Sequence, residues 1–260
     1  MEAVYKYEIT KVKGEKKFPF MDTLIREIKL DLVVNGELIA SLMATPVDQE
    51  ALAVGYLISE NILESVKDIE SMTVEDDGMT VQIKAKINDA AVERLNTEGV
   101  VISGCGRSKT ANINVETMEA MVNKSDYHIP AALITEEMNG FYRYCKLYEQ
   151  TGSVHTAKLY IDGGEYFIAE DIAQHSTVDK AVGKAELAGV DTSNSVLMVS
   201  GRLSSEMVAK AVMHKIPILV SRTASTCLGV QIAEKFGLTL VGFAREGRMN
   251  IYTHNGRIDV

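Results

Sequence analysis

The second half of the chain alternates short apolar strands with helices, and this alternation constrains the fold more than any other feature of the sequence. The predicted strands are residues 165–172, 195–200, 218–221 and 238–243, with one more short strand at 250–253. The predicted helices are residues 176–188, 204–214 and 225–236. Alternation of this kind predicts a layered α/β domain with a largely parallel sheet.

The first half reads instead as strands joined by tight turns. Asn35-Gly36 separates alternating segments at residues 26–34 and 37–43, and Asp77-Gly78 separates residues 71–75 from 79–87. Both residues of Asn-Gly tolerate positive φ, which makes this dipeptide the strongest short hairpin signal. A helix is expected over residues 48–58. We therefore predict a smaller, strand-rich α+β domain over residues 1–128 and an α/β domain over residues 129–260.

A further helix is predicted to begin at Thr135, followed by a hairpin that turns at Asp162-Gly163-Gly164. The apolar positions of this helix follow the i, i+3, i+4, i+7 spacing of one buried face. They are Met138, Phe141, Tyr142, Cys145 and Tyr148.

Composition and charge exclude several classes of protein. Of 260 residues, 46% are hydrophobic and 24% are charged, which is typical of a globular chain and not of a disordered one. The net charge of -9 argues against a nucleic-acid partner, because phosphate backbones require a basic surface. The sequence has no apolar run near the roughly 18 residues of a membrane span. Its first residues lack the basic and apolar regions of a signal peptide, so a cytoplasmic protein is expected.

Four polar segments follow the predicted strands and are expected to share one edge of the sheet, where open α/β sheets bind ligands. They are residues 170–175, 200–202, 221–223 and 243–248. Four arginines lie in them, Arg202, Arg222, Arg245 and Arg248, and guanidinium groups and helix N-termini both favour phosphate. The segments therefore predict a site for a phosphate-bearing ligand. The alternative is that these arginines pair with carboxylates on a solvated surface.

The three cysteines differ in their surroundings, and their wide spacing predicts neither a disulfide framework nor a zinc ligand pair. Cys145 lies on the apolar helix face, and Cys227, in the first turn of a helix, is also expected to be buried. Cys105 lies between two glycines, with Arg107 and Lys109 close by. Neighbouring cations favour the reactive thiolate, so Cys105 is the candidate nucleophile or sulfur carrier. The alternative is an incidental loop cysteine.

His155, His175, Asp171 and Asp179 form the remaining candidate set for acid/base chemistry or metal binding. Asp179 also stands three residues after Ser176, as in a capping box. The sequence contains neither H-E-x-x-H nor the ligand pattern of a zinc deaminase, so we predict no metal site.

Several segments, read in order, resemble the formate dehydrogenase accessory sulfurtransferase family (FdhD/NarQ). They are Thr45-Pro46-Val47-Asp48, Ser103-Gly104-Cys105-Gly106, Thr151-Gly152-Ser153-Val154-His155, Glu170-Asp171-Ile172, Ser200-Gly201-Arg202-Leu203-Ser204 and Leu238-Thr239-Leu240-Val241-Gly242-Phe243. The resemblance extends from about residue 28 to residue 253. It implies a cytidine-deaminase-like fold for the C-terminal domain, without the zinc site.

The resemblance also implies a function. Members of this family carry sulfur from a cysteine desulfurase to the molybdenum cofactor, bis(molybdopterin guanine dinucleotide), for formate dehydrogenase. The sulfur travels as a persulfide on a loop cysteine, which Cys105 matches. The segment that holds the cofactor's guanine dinucleotide is matched by Phe243, Ala244, Arg245, Glu246, Gly247 and Arg248. A cytoplasmic homodimer is expected on the same grounds.

The chain departs from the family pattern at one position of direct chemical interest. Many members have a Cys-x-x-Cys loop, whereas this loop reads Cys105-Gly106-Arg107-Ser108. The departure keeps open a second hypothesis, a non-catalytic chaperone that binds the same cofactor and does not need Cys105. A third hypothesis is a nucleotide hydrolase that uses Asp171, His175 and Asp179.

Overall fold

The computed structural model describes residues 1–97, 102–103 and 121–260, and Cys105 with its flanking loop lies outside these ranges. Strands β1 (Val4–Lys13) and β2 (Lys16–Ile25) form a two-stranded antiparallel ribbon. A five-stranded sheet follows, with strand order β5-β6-β3-β4-β7. Its strands are β3 (Ile28–Val34), β4 (Glu37–Ala44), β5 (Ile69–Glu75), β6 (Thr80–Ala85) and β7 (Ile102–Ser103).

Helices α1 (Gln49–Ser59) and α2 (Asp89–Thr97) pack against this sheet, and side chains of the helices and the strands form one apolar core. Both predicted hairpins are confirmed. Asn35 adopts a φ of 52° and Gly36 a φ of 87°, the left-handed pair that a tight Asn-Gly turn requires. Asp77-Gly78 likewise joins β5 to β6, which pair antiparallel.

The C-terminal part is built on a six-stranded sheet with strand order β10-β9-β11-β12-β13-β14. Its strands are β9 (His155–Ile161), β10 (Tyr166–Asp171), β11 (Ser195–Val199), β12 (Ile218–Ser221), β13 (Thr239–Arg245) and β14 (Arg248–Ile251). The helices of this part are α3 (Ala131–Asn139), α4 (Lys146–Thr151), α5 (Gln174–Leu187), α6 (Ser205–Met213) and α7 (Cys227–Lys235). Two short strands, β8 (Ile129–Pro130) and β15 (Ile258–Asp259), pair with each other.

The prediction of a mixed α/β domain is confirmed, but the prediction of a largely parallel sheet is wrong. Only β11–β12 and β12–β13 are parallel, whereas β9 pairs antiparallel with both β10 and β11 and β14 returns antiparallel along β13. The reason is that hairpins join β9 to β10 and β13 to β14 without a crossover helix, and β11 then pairs with the other edge of β9. Helices α5, α6 and α7 bury one face of the sheet, and α3 buries the other.

The helix predicted to begin at Thr135 is two helices. Helix α3 ends at Asn139 with Gly140 as its C-cap residue, and α4 begins at Lys146. The carboxylate of Glu170 accepts hydrogen bonds from the backbone N–H groups of Leu147 (3.1 Å) and Tyr148 (2.7 Å) and so starts α4 anew. Such caps satisfy the free N–H groups of a first turn, which stabilises the break.

The two parts of the chain meet where α1 crosses α5 at very short range. A Cβ atom on Gly55 of α1 would lie 1.9 Å from the backbone oxygen of Asp179, and one on Gly183 of α5 would lie 1.9 Å from that of Ala51. Only glycine at both positions allows the backbones this approach. Within the described ranges, no helix is both long and apolar enough to cross a membrane.

Candidate functional site

The predicted ligand-binding edge of the C-terminal sheet exists as a continuous hydrogen-bonded surface, which we call the rim. It comprises residues 171–175, His155, residues 200–203, residues 221–223 and residues 242–248. The Ser221 hydroxyl donates to the Gly201 backbone oxygen (2.5 Å), and the Phe243 N–H donates to the Thr223 oxygen (2.9 Å). The ends of β11, β12 and β13 are thus held together, as the parallel order of these strands requires.

A second set of contacts adds His155 and the start of α5 to the rim. The Ser200 hydroxyl lies 3.2 Å from His155 Nδ1 and accepts a hydrogen bond from the Thr156 N–H (3.1 Å). The Gln174 side-chain amide donates to the Arg202 oxygen (2.7 Å). All four polar segments predicted from the sequence therefore lie at one rim.

The four arginines of the rim divide into two groups. Arg202, Arg245 and Arg248 are exposed and available to an anion, although Arg248 also lies 3.4 Å from the Glu246 carboxylate. Arg222 turns towards α3 instead, where its guanidinium donates to the Met138 oxygen (2.9 Å) and stacks near the ring of Tyr142. The expected convergence of four arginines is therefore wrong for the Arg222 side chain, which is engaged in packing.

The hairpin between β13 and β14 projects from the rim and has an unusual backbone. Phe243, Glu246 and Gly247 have φ angles of 52°, 56° and 72°, and the strand register shifts between Gly242 and Arg245. A positive φ at a bulky residue such as Phe243 is rare and marks a strained position. The bulge changes the direction of the hairpin next to the two arginines.

The proposed acid/base set does not assemble. The Asp171 carboxylate is fully buried and lies 2.5 Å from Lys180 Nζ, and it accepts hydrogen bonds from the N–H and the hydroxyl of Thr45, both at 3.0 Å. Asp179 accepts two hydrogen bonds from Lys210, at 2.8 and 2.9 Å. Each carboxylate is thus neutralised by its own buried lysine, which weakens the hydrolase hypothesis.

The predicted capping box of Ser176 and Asp179 is also wrong. Helix α5 begins at Gln174, so both residues lie inside it and are buried. Instead, Asp179 accepts a hydrogen bond from the Ser59 hydroxyl of α1 (2.7 Å), and His214 Nε2 lies 3.0 Å from the same hydroxyl. These residues connect the two parts of the chain.

The two histidines of the rim are neutral at physiological pH. Burial lowers the pKa of His155, and burial followed by the charge of Lys210 lowers the pKa of His175 to about 4. The Glu206 carboxylate lies 3.3 Å from His175 Nε2, but burial and the lysine outweigh its attraction. Neutral imidazoles can donate and accept hydrogen bonds here. Among the described residues, no group of His, Cys, Asp and Glu side chains could hold a metal ion.

The buried residues Thr45, Lys180 and Lys210 have no chemical role in the prediction from the sequence. A signal was present, because Asp179 and Lys180 interrupt the apolar run around Val178 and Ala181 in the middle of a helix. Charged residues are almost never fully buried unless they are paired. Opposite charges inside an apolar helix face therefore indicate buried ion pairs.

The two described cysteines differ in burial, although both are predicted from the sequence to be buried. Cys145 is buried and donates through Sγ to the Phe141 oxygen (3.4 Å), and burial raises its thiol pKa to about 11. Cys227 is exposed, so its predicted burial is wrong. Helix α7 buries Gly229, Ile232 and Ala233, and the first helical residue falls outside that face.

The chain approaches Cys105 along the edge of the N-terminal sheet. Ser103, which precedes Cys105 by two residues, pairs with Leu42 in the parallel β4–β7 ladder. Three residues beyond Leu42, Thr45 makes its hydrogen bonds to Asp171. The strand that leads to Cys105 therefore runs towards the rim.

Comparisons with known proteins agree on one family. The model of the FdhD/NarQ family matches residues 25–259. A protein from Wolinella succinogenes named sulfur carrier protein FdhD is 43% identical over 92% of this chain and 83% of its own length. A protein of the same name from Thermoplasma acidophilum is 39% identical over 84% of this chain and 78% of its own length.

The fold also matches a solved structure. A crystal structure described as a formate dehydrogenase accessory protein, from Desulfotalea psychrophila, superposes with a TM-score of 0.82 at 25% identity. The match covers 99% of this chain and all of the other. The finer likeness to cytidine deaminases stays a prediction.

Proposed function

Because this chain belongs to the FdhD/NarQ family, we propose that it transfers sulfur from a cysteine desulfurase to the molybdenum cofactor of a formate dehydrogenase. The cofactor is the cargo, in its bis(molybdopterin guanine dinucleotide) form. The protein would receive sulfur at Cys105 and hold the cofactor at the rim.

Cys105 has the chemistry that this task needs. The thiolate is the nucleophile in sulfur exchange, and the nearby Arg107 and Lys109 favour it. The Cys105 thiolate attacks the outer sulfur of the desulfurase persulfide. A new S–S bond forms, the old one breaks, and the desulfurase cysteine leaves as a thiolate. Release of that sulfur as sulfide takes two electrons from an external thiol, because Ser108 leaves the loop without a second thiol of its own.

The rim would bind the phosphate groups of the cofactor. Arg202, Arg245 and Arg248 present exposed guanidinium groups in a chain whose net charge is -9. Such groups bind phosphate through paired, charge-assisted hydrogen bonds. The residues Phe243 to Arg248 would hold the guanine dinucleotide, and the neutral His155 would add a hydrogen bond without a competing charge.

The pairing of Ser103 with Leu42 is the single observation that carries the proposal. It places Ser103, the last described residue before Cys105, beside β4, which leads through Thr45 to the carboxylate of Asp171. Cys105 follows Ser103 by two residues in the sequence. Sulfur carrier and cofactor site would therefore act on one face of the protein.

Sulfur loading provides the test. The protein is incubated with a cysteine desulfurase and cysteine, and its intact mass is measured without reductant. We expect one added sulfur, lost in Cys105→Ser and retained in Cys227→Ser, the matched control that removes an exposed thiol elsewhere. Equal loss in both variants, or loading that survives Cys105→Ser, contradicts the assignment of Cys105.

The absence of a second loop thiol favours one alternative, a cofactor chaperone that carries no sulfur. The two functions differ in activation of the client enzyme. A carrier loses activation in Cys105→Ser, whereas a chaperone retains it and gains no sulfur in the loading assay. Full activation by Cys105→Ser would therefore replace the carrier function with the chaperone function.

A further inference from the structure

Glu206 places a half-buried carboxylate next to the rim, in contact with a neutral imidazole. It lies in the first turn of α6, four residues after Arg202, and 17% of its side chain is exposed. Its Oε2 atom lies 3.3 Å from Nε2 of His175, whose low pKa keeps the ring uncharged. Among the residues that the structure describes, Glu206 forms no ion pair with a lysine or an arginine.

The surroundings of Glu206 differ from those of the other buried carboxylates nearby. Asp171, Asp179 and Glu137 each contact a lysine. Lys210 attracts Glu206 at longer range, but it donates its two hydrogen bonds to Asp179, at 2.8 and 2.9 Å. Burial raises the pKa of the Glu206 carboxyl, because the carboxylate has lost part of its hydration. Such a group is stabilised by hydrogen-bond donors, which a ligand can supply.

His175 orients this carboxylate. An ionised carboxylate only accepts hydrogen bonds, so the Nε2 atom of the neutral ring carries the proton and points it at Glu206. The other ring nitrogen, Nδ1, is buried and makes no hydrogen bond to a described residue. Each carboxylate oxygen can accept two hydrogen bonds, so the contact with His175 leaves acceptors on both oxygens for a ligand.

The position of Glu206 restricts which part of a ligand it can bind. The exposed guanidinium group of Arg202 attracts phosphate, whereas the carboxylate of Glu206 repels it and must meet a hydrogen-bond donor instead. Guanine and pterin rings share one edge, in which a ring N–H lies beside an amino group, and a carboxylate can accept from both. Adenine presents a ring nitrogen without a proton beside its amino group, so its lone pair would meet the carboxylate.

We propose that Glu206 is a specificity-determining residue, which accepts hydrogen bonds from the ring N–H and the amino group of a 2-amino-4-oxopyrimidine edge. Guanine and pterins both carry this edge. His175 is the positioning residue that holds the carboxylate in place. The inference rests on the proposed function for the class of ligand, and it adds a group that selects the ring to the arginines that bind phosphate.

Exchanging the amino group of the ligand for a carbonyl tests this role. Xanthosine diphosphate and lumazine carry a carbonyl oxygen where GDP and neopterin carry the amino group. Binding to the full chain is measured by calorimetry, and the wild type should bind the amino compound about tenfold to hundredfold more tightly in the pair that contains the recognised ring. Glu206→Gln replaces one carboxylate oxygen by an NH₂ donor, so it should reverse this preference.

Matched variants separate the role of Glu206 from a general effect of charge. Glu234 at the far end of α7 also contacts an imidazole, that of His254, at 3.7 Å, so Glu234→Gln should retain the wild-type preference. His175→Gln keeps a donor towards Glu206 and should preserve the preference, whereas His175→Leu should reduce it. The pair of compounds that responds identifies the ring as guanine or pterin.

The outcomes distinguish this inference from the proposed function. A wild type that binds neither GDP nor neopterin, equal affinities within both pairs, or an unchanged preference in Glu206→Gln would each overturn the role of Glu206. Sulfur loading of the wild type requires no bound ring and is measured separately. A chain that loads sulfur without any ring preference refutes this inference alone, and one that shows the preference without loading sulfur refutes the carrier function alone.

Discussion

Replacing Lys180 by Met is expected to destabilise the protein strongly, because it leaves the Asp171 carboxylate buried without its counter-charge. Lys180 Nζ is fully buried and contacts three oxygens: Asp171 Oδ2 (2.5 Å), Thr45 Oγ1 (2.9 Å) and the Thr45 backbone oxygen (3.2 Å). Methionine fills similar volume and supplies no charge. Asp171 would keep its hydrogen bonds from Thr45 and Ala173 but lose its counter-charge. Removing one partner of a buried pair costs about 3–5 kcal/mol.

The same helix provides the matched control. Lys184, one turn further along α5, pairs with the half-buried Asp48 at 2.7 Å and has 29% of its side chain exposed. Lys184 also donates a hydrogen bond to the Ile168 oxygen (2.8 Å), but because solvent reaches this pair, Lys184→Met should cost less than Lys180→Met. The double variant Lys180→Met with Asp171→Asn removes both charges together. It should recover part of the lost free energy of unfolding, because most of the cost of Lys180→Met comes from burying a carboxylate without a counter-charge.

Urea unfolding followed by circular dichroism measures the effect. The expected free energies of unfolding decrease in the order Lys184→Met, the double variant, Lys180→Met. Equal free energies for Lys180→Met and Lys184→Met would refute the argument that burial sets the cost. A double variant less stable than Lys180→Met alone would refute the role of the uncompensated carboxylate.

Three further predictions follow from single positions. Gly55→Ala should cost at least about 2 kcal/mol in urea unfolding, since its Cβ overlaps the backbone of α5, whereas Gly140→Ala meets only ordinary contacts and should cost less than about 1 kcal/mol. In the folded protein a maleimide should modify the exposed Cys227 rapidly and the buried Cys145 slowly, and equal rates would contradict the burial. GDP should raise the melting temperature, and Arg248→Ala should weaken GDP binding about tenfold to hundredfold by calorimetry. Unchanged affinity in that variant would remove the hairpin from the site.

Local sequence signals predicted the elements whose stabilisation is itself local. Asn35-Gly36 forms its turn because these two residues adopt positive φ at low cost, whatever surrounds them. The apolar strands β11 and β12 were found because burial on both faces requires a continuous apolar run. The four rim segments followed from strand ends alone, since parallel strands bring their carboxyl ends to one edge.

The failures share a cause, which is that the deciding partner lies far away in sequence. Helix α3 ends before the predicted helix does because Glu170 caps α4 from another strand, over twenty residues later. The exposure of Cys227 depends on which face of α7 meets the sheet. Apolar spacing identifies a buried face only when the helix limits are correct, and α7 begins at Cys227, two residues later than predicted.

The charged residues of this protein have two roles: the buried ones form ion pairs that join parts of the fold, and the exposed ones are available to a ligand. Asp171, Lys180, Asp179 and Lys210 are buried and mutually neutral, so they hold α1 and β4 against α5 and offer no charge to a ligand. Among the described residues, the ion pair found for the exposed arginines of the rim is that of Arg248 with Glu246, so most of their positive charge remains available in an otherwise acidic chain. Thr45 connects the buried pair to the N-terminal sheet, because it bonds to Asp171 and directly follows β4, the strand that pairs with β7. Loosening the buried pair should therefore disturb the packing of β4, and of β7 beside it, against the rim before it changes the charge of the rim itself.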